Sequence, residues 1–257
     1  MRADVFFADK YGSRTRAKDV LKNGRILRGG KALSPSDEVR DGDVFTFVSD
    51  ESLLVSRGGY KLERALCAFS QSVEGGVFID LGASTGGFTE VLLSHGARRV
   101  YAVDVGKGQL APSLAEDARV TVMDETNARF LTRDQFSDII DGVVSDLSFI
   151  SLSLILPVIS DLLKEGGRAF LLFKPQFECG GVGLSKGILP VRYHKALLSG
   201  FYDSCLSHSL APQAIVNAPI HAHKNVEYVV FLVKDGTPVT REEFLRRASE
   251  RPFSEEN

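Results

Sequence analysis

Tryptophan is absent from this 257-residue chain, methionine occurs twice and cysteine three times. Cys67, Cys179 and Cys205 are scattered and have no Cys-x-x-Cys spacing. That excludes a disulfide framework and a thiolate zinc site, and leaves plain core thiols in a reducing cytoplasm. No apolar run approaches the roughly 20 residues of a membrane-crossing helix, so no stable membrane insertion is expected. A secretory leader is not expected either, because Met1-Arg2-Ala3-Asp4 leads straight into an amphipathic pattern. His221 and His223 stand one residue apart without partner cysteines or a carboxylate motif, so a metal is not expected. Hydrophobic residues make up 44% and charged residues 25%, as in ordinary globular chains of one large or two small domains.

The formal net charge of −2 hides an asymmetry. Residues 1–31 hold nine bases against Asp4, Asp9 and Asp19, an excess that fits a polyanion partner. Ala3 to Lys10 reads as a short helix and Arg14 to Asn23 as a second, with Ser13 as N-cap and Gly24 as stop. Arg14, Lys18 and Lys22 recur every four residues and share one face. Arg25 to Arg28 and Lys31 to Leu33 read as a hairpin around Gly29-Gly30, and Val44 to Val48 as a further strand. Helix, helix and small hairpin with these bases resemble the S4 RNA-binding domain. The resemblance implies phosphate contacts from Arg14, Arg16, Lys18, Lys22, Arg25 and Arg28, which would be salt-sensitive and largely blind to sequence.

The rest of the chain is organised around Phe78-Ile79-Asp80-Leu81-Gly82-Ala83-Ser84-Thr85-Gly86-Gly87-Phe88-Thr89. An apolar strand enters a glycine-rich turn, and a helix follows whose start offers N–H groups to a ligand. Val100 to Val103 then forms a strand ending at Asp104, where a ribose could present its hydroxyls. A nucleoside-containing cofactor is the leading reading. Ser84 replaces the glycine that lets backbone approach a pyrophosphate, so a cofactor without pyrophosphate fits better. Two alternatives stay open. Gly82-Ala83-Ser84-Thr85-Gly86 matches a hydrolase nucleophile elbow, with Asp203 and His221 or His223 following in order. The glycines could also form a purely structural turn.

Strands and helices alternate beyond this loop. Strands are expected at Phe78–Leu81, Val100–Val103, Val120–Met123, Gly142–Ser145, Ala169–Phe173, Ala214–Asn217 and Glu227–Val233. Helices are expected at Tyr60–Phe69 and at Leu152–Leu163, the latter closed by Gly166-Gly167. The pattern predicts an α/β fold: a doubly wound, mainly parallel Rossmann-like sheet preceded by the small α+β domain. The expected boundaries are 1–48 for the basic domain, 49–59 for a linker, 60–236 for the α/β domain and 237–257 for a charged tail. Chemistry-bearing residues fall at strand edges: Asp104, Asp124, Asn127, Asp146, Lys174 and Glu227.

Several stretches together resemble the TlyA family. They are Val55-Ser56-Arg57-Gly58-Gly59-Tyr60-Lys61-Leu62, the loop Asp80 to Thr89, Tyr101 to Leu110, Glu125-Thr126-Asn127-Ala128-Arg129, Asp146-Leu147-Ser148-Phe149-Ile150-Ser151 and Lys174-Pro175-Gln176-Phe177-Glu178. These are hemolysin-A-like ribosomal RNA methyltransferases with an S4 domain and an FtsJ-like methyltransferase domain. The resemblance implies S-adenosylmethionine as cofactor and 2′-O-methylation of a cytidine, with ribosomal RNA or ribosomal subunits as partner. It assigns Lys61, Asp146, Lys174 and Glu227 as the catalytic set, with Lys174 activating the hydroxyl. The cofactor would lie against Asp80, Gly82, Ala83, Ser84, Thr85, Gly86, Gly87, Phe88 and Thr89, with Asp104 toward its ribose and Asp124 and Asn127 toward its adenine. Asp146 belongs to both sets.

Two departures stand out. Pro219 to Asn225 replaces a glycine-rich stretch, and Lys186 to Arg192 lacks an acid usual in the family. Two alternatives accompany this reading. A hemolysin or membrane-active protein would require an insertion segment that the sequence does not offer. An RNA-binding protein with an inactive methyltransferase domain is kept open by the departures near Glu227.

Overall fold

Short β-branched and aromatic runs bounded by glycines become strands in the computed structural model. It describes residues 1–22, 26–29, 31–40, 42–47, 54–56, 58–218 and 225–249. The chain forms two compact units, Met1–Leu53 and Leu54–Asn257.

In the first unit, helix α1 (Ala3–Phe6) precedes α2 (Arg14–Lys22), β1 (Ile26–Arg28), β2 (Lys31–Ala32) and β3 (Phe45–Phe47). The strands form an antiparallel sheet in the order β2-β1-β3. Ala17, Val20 and Leu21 on one stripe of α2 pack with Ala3, Phe7, Ile26, Leu33 and Val39. The first helix is shorter than the expected Ala3–Lys10, because turns take over after Phe6.

The second unit contains α3 (Gly59–Ala68), β4 (Val77–Leu81), α4 (Gly87–Ser94), β5 (Arg99–Val103), α5 (Pro112–Ala115) and β6 (Val120–Met123). Then follow β7 (Ile140–Ser145), α6 (Leu156–Leu162), β8 (Leu163–Phe173), α7 (Pro175–Glu178), α8 (His194–Ser207), β9 (Leu210–Asn217), β10 (Tyr228–Lys234) and α9 (Arg241–Ser249). The seven strands lie in the order β6-β5-β4-β7-β8-β10-β9. The first five run parallel, and β10 is antiparallel to both β8 and β9. Apolar layers cover both faces. One is built on Ile79, Leu81, Val143 and Leu171, the other on Phe78, Val100, Val144 and Phe170. That alternation within single strands is the period of two acting on a sheet buried on both sides.

Two expectations need correction. The helix expected over Leu152–Leu163 is a 3-10 turn (Leu152–Leu154) followed by α6. Gly166-Gly167 does not close a helix but lies inside β8, which begins at Leu163. Helix α8 was not anticipated, although its buried residues His194, Leu198, Phe201, Tyr202 and Cys205 have helical spacing.

Phe78 on β4 faces Gly142 on β7, and a Cβ at Gly142 would lie 2.2 Å from the fully buried Phe78 ring. Gly142→Ala is therefore expected to destabilise the protein by about 1–3 kcal/mol, read as a lower urea midpoint. An unchanged midpoint would show that the ring has room to move.

Candidate active site

At the end of β4 the chain turns through Gly86, held at φ 98°, into the start of α4. A side chain at this glycine would also strike Leu110 and Leu114. A Cβ on Gly59 would lie 2.8 Å from Gly87 O, and one on Gly87 would lie 2.9 Å from Gly59 N. The starts of α3 and α4 thus cross backbone to backbone, which brings Lys61, in the first turn of α3, to the glycine loop.

Two carboxylates, Asp80 and Asp104, fix the loop, and Asp124 and Asn127 order the segments beside it. Asp80 is buried; its Oδ2 accepts from Thr89 Oγ1 at 2.7 Å and its Oδ1 has no hydrogen-bond partner. Burial pushes its pKa up to about 7, and the neighbouring charges of Asp146 and Asp104 add to the rise. Asp104 accepts from the N–H groups of Ser84 and Gly106, each at 2.8 Å. Asp124 accepts from Gly108 N at 2.7 Å, and Asn127 Oδ1 accepts from Arg129 N at 3.0 Å. Ser84 is exposed, with φ 48°, and its hydroxyl meets Gln109 Oε1 at 3.4 Å rather than a histidine. Asp203 pairs with Arg241, while His221 and His223 lie outside the described residues. The described residues therefore offer Ser84 no triad.

The sheet's carboxyl edge gathers four residues far apart in sequence. Lys174 follows β8 and donates from Nζ to Asp146 Oδ1 at 2.5 Å and to Ser148 Oγ at 2.9 Å. Asp146 follows β7, and its Oδ2 lies 3.8 Å from Lys61 Nζ. Lys61 in turn donates to Glu227 Oε2 at 2.8 Å. Lysine and carboxylate thus alternate along one chain: Lys174, Asp146, Lys61, Glu227. Lys174 is the most enclosed member, with a side chain 8% exposed. All four residues singled out in the sequence as the catalytic set meet here.

Sequence reasoning missed the surroundings. Gln176 donates from Nε2 to Glu227 Oε1 at 3.2 Å, and its own Oε1 is buried without a partner. Glu178 accepts from Ser151 Oγ at 2.5 Å and from Leu152 N at 2.8 Å, tying the segment after Lys174 to the one after Asp146. Burial raises its pKa against those bonds. Phe149 is 91% exposed with φ +65°, a left-handed setting unusual for a bulky residue. Its ring lies 5.0 Å from that of Phe177, which itself lies 5.8 Å from Lys174 Nζ. Phe149 and Gln176 stood inside quoted motifs, but a sequence carries no sign of positive φ or of an unpartnered oxygen.

In the first unit the basic residues are partly engaged. Asp4 is buried and accepts from Arg2 and from Arg14, whose Nη2 is 3.1 Å away; Lys18 Nζ lies at 3.8 Å. Arg2 foremost, then Arg14, holds the Asp4 carboxyl below its usual range. Arg28 donates to Glu38 O and to Asp43, both at 2.8 Å. Lys22 is exposed. Arg25 and the Arg16 side chain lie outside the described residues.

Residues 54–234 match the family of FtsJ-like methyltransferases. The TlyA 16S/23S rRNA (cytidine-2′-O)-methyltransferase of Mycobacterium tuberculosis is 47% identical over 170 residues. That match covers 65% of this chain and 63% of the relative. The TlyA 23S rRNA (cytidine-2′-O)-methyltransferase of Campylobacter jejuni is 30% identical over 264 residues, covering 91% of this chain and all of the relative (100%). The chain belongs to the TlyA family. A solved structure from Streptococcus thermophilus, described as a candidate hemolysin, is also similar. Its TM-score is 0.74 at 34% identity, over 96% of this chain and 95% of that one. In this TlyA-family chain the matched region carries the glycine loop and all four members of the lysine–carboxylate chain.

The raised pKa of Asp80 has a signed consequence. A folded-state value of about 7, above the ordinary aspartate value of 3.8, adds stability at low pH that is lost as pH rises toward 7. Without ligand, the melting temperature of Asp80→Asn minus that of wild type is expected to grow between about pH 4 and pH 8. A constant difference across that range would contradict the assignment.

Proposed function

We propose that this protein is an S-adenosylmethionine-dependent 2′-O-methyltransferase acting on a cytidine of ribosomal RNA, in ribosomal subunits or as free RNA, in the cytoplasm. The observation that carries the reading is the chain of Lys174, Asp146, Lys61 and Glu227 beside the glycine loop.

The loop suits the cofactor. Asp104 and Asp146 bring negative charge to its edge, and the unpartnered Oδ1 of Asp80, whose pKa burial pushes up to about 7, gives an acceptor to a group bearing a sulfonium and an ammonium. Asp80, Gly82 to Thr89 and Asp146 would hold its methionine end, Asp104 its ribose, and Asp124 and Asn127 its adenine. When bound, the cofactor supplies an activated methyl group, so the protein's task is to align and activate the ribose hydroxyl.

For this step Lys174 must first lose one proton of its ammonium; the neutral Nζ then takes the proton of the 2′-hydroxyl as the oxygen gains the methyl group. Asp146, already in contact with Nζ, balances the charge that Lys174 acquires. Lys61 holds Asp146 on its other side and, through Glu227, fixes the carboxylate that positions the ribose. The exposed ring of Phe149 gives the base of an unstacked nucleotide a surface on which to stack. The first unit acts as an S4-like RNA-binding domain. Arg14, Lys18 and Arg28, steadied by Asp4 and Asp43, join Arg16, Lys22 and Arg25 in holding phosphates.

A membrane-damaging role would rest on an insertion segment, and among the described residues no helix is long and apolar enough to cross a membrane.

The test is transfer of a labelled methyl group to ribosomes and separated subunits that lack the modification. Label is expected in an alkali-resistant 2′-O-methyl dinucleotide. Lys174→Ala should lower turnover by about 10³-fold and leave cofactor affinity within about twofold of wild type. Label that alkali releases, or a mutant that turns over normally, would refute the assignment.

A further inference from the structure

The segment 186–192 and Asn225, the last residue of the other departing stretch, meet at one residue, Leu189. Asn225 Oδ1 accepts from Leu189 N at 2.9 Å, and Asn225 Nδ2 donates to Gly187 O at 2.8 Å. His194 Nε2 lies 3.2 Å from Leu189 O. A carbonyl can only accept, so Nε2 carries the proton and Nδ1 accepts from the Tyr228 hydroxyl at 2.9 Å. Both backbone groups of Leu189 are thus held by side chains, and its own side chain is 2% exposed. Asn225 and Tyr228 bracket Glu227 in sequence, so the clasp grips both flanks of a member of the catalytic chain.

The clasped segment projects a distinct surface. Ser185 and Ile188 exchange two backbone bonds of 2.9 Å, closing a turn in which Lys186 (φ 48°) and Gly187 (φ 80°) are both left-handed. Lys186 is exposed at the tip, and Arg192 and Lys195 are exposed beyond it. From Cys179 to Tyr202 the sequence holds no acid. Val182 (71% exposed) and Val191 (61%) lie on the same segment, and Arg192 lies 5.0 Å from the Tyr193 ring centroid. Bases with apolar and aromatic neighbours, and no acid, suit an RNA strand rather than a basic partner.

We propose that segment 180–195 selects the RNA flanking the target nucleotide, and that Asn225 and His194 are positioning residues setting it against Glu227. The inference rests on the methyl-transfer reading above.

Two full-length variants test it on protein-free ribosomal RNA. Lys186→Glu/Arg192→Glu/Lys195→Glu alters only exposed side chains. It should lose at least about tenfold in RNA affinity with a shallower salt dependence, while cofactor affinity holds. Asn225→Ala should keep RNA affinity within about twofold, while the ratio of label at the preferred site to label elsewhere falls about tenfold. An equal loss at every site, unchanged selectivity, or an effect seen on intact subunits but not on free RNA would overturn the proposal. The last outcome would point to a ribosomal protein as the occupant. If wild type methylated no RNA, the underlying reading would fail, yet the affinity arm would still decide the surface. If Asn225→Ala no longer bound the cofactor, the charge-reversed variant would decide alone.

Discussion

The contact between Lys174 and Asp146 is the constraint around which the catalytic unit is arranged. A lysine with a side chain only 8% exposed is costly unless its charge is matched and its N–H groups are taken up. Asp146 and Ser148 meet that need, and both stand on the segment that follows β7. That segment is pinned by Glu178, which follows Lys174 itself. The two strand ends therefore hold one another, and neither could shift without leaving a buried charge or a carboxylate unpaired. Lys61 joins the set because two glycine backbones cross, Gly59 against Gly87, with no room for a side chain at either. The same crossing brings the start of α3 to the loop assigned to the cofactor, so binding and chemistry share one structural joint.

Much of this was legible in the sequence because parallel sheets enforce simple rules. Apolar runs of about four or five residues marked the parallel strands of the central sheet, and polar residues after those runs marked its carboxyl edge. Asp104, Asp146 and Lys174 were found that way, Glu227 at the opening of the last strand, and Lys61 from its place in a glycine-led first helical turn together with the family resemblance. The misses have a common physical cause. Gln176, Ser148 and Glu178 act through contacts across the sheet edge, and no local pattern encodes those. Phe149 depends on a backbone sign that only glycine advertises in a sequence. Gly166-Gly167 read as a helix stop because glycine often ends helices, but here the glycines fall in an irregularity of β8, which pairs with β7 at Leu163 and again from Arg168. Helix α8 carries the required spacing in His194, Leu198, Phe201, Tyr202 and Cys205.

The basic first unit shows how a charge pattern is qualified by structure. Arg14, Lys18 and Lys22 share a helix face, yet Arg14 and Lys18 also converge on the buried Asp4. A carboxylate at the base of such a cluster restrains the cations without neutralising all of them, and both side chains remain about half exposed, at 52% and 42%. Arg28 is restrained in the same way by Asp43 and a backbone carbonyl. Held cations lose less side-chain entropy when they meet a phosphate than free ones do.

The central claim is that Lys61, Asp146, Lys174 and Glu227 act as one unit and not as four separate contributors. The most direct measurement is a double-mutant cycle between Lys61 and Glu227, read in single-turnover methyl transfer with saturating cofactor. If the two work through their shared contact, Lys61→Ala/Glu227→Ala should be no slower than the worse single variant, within about threefold. Losses that multiply would mean that the two residues act independently, and the account of a linked lysine–carboxylate chain would be wrong.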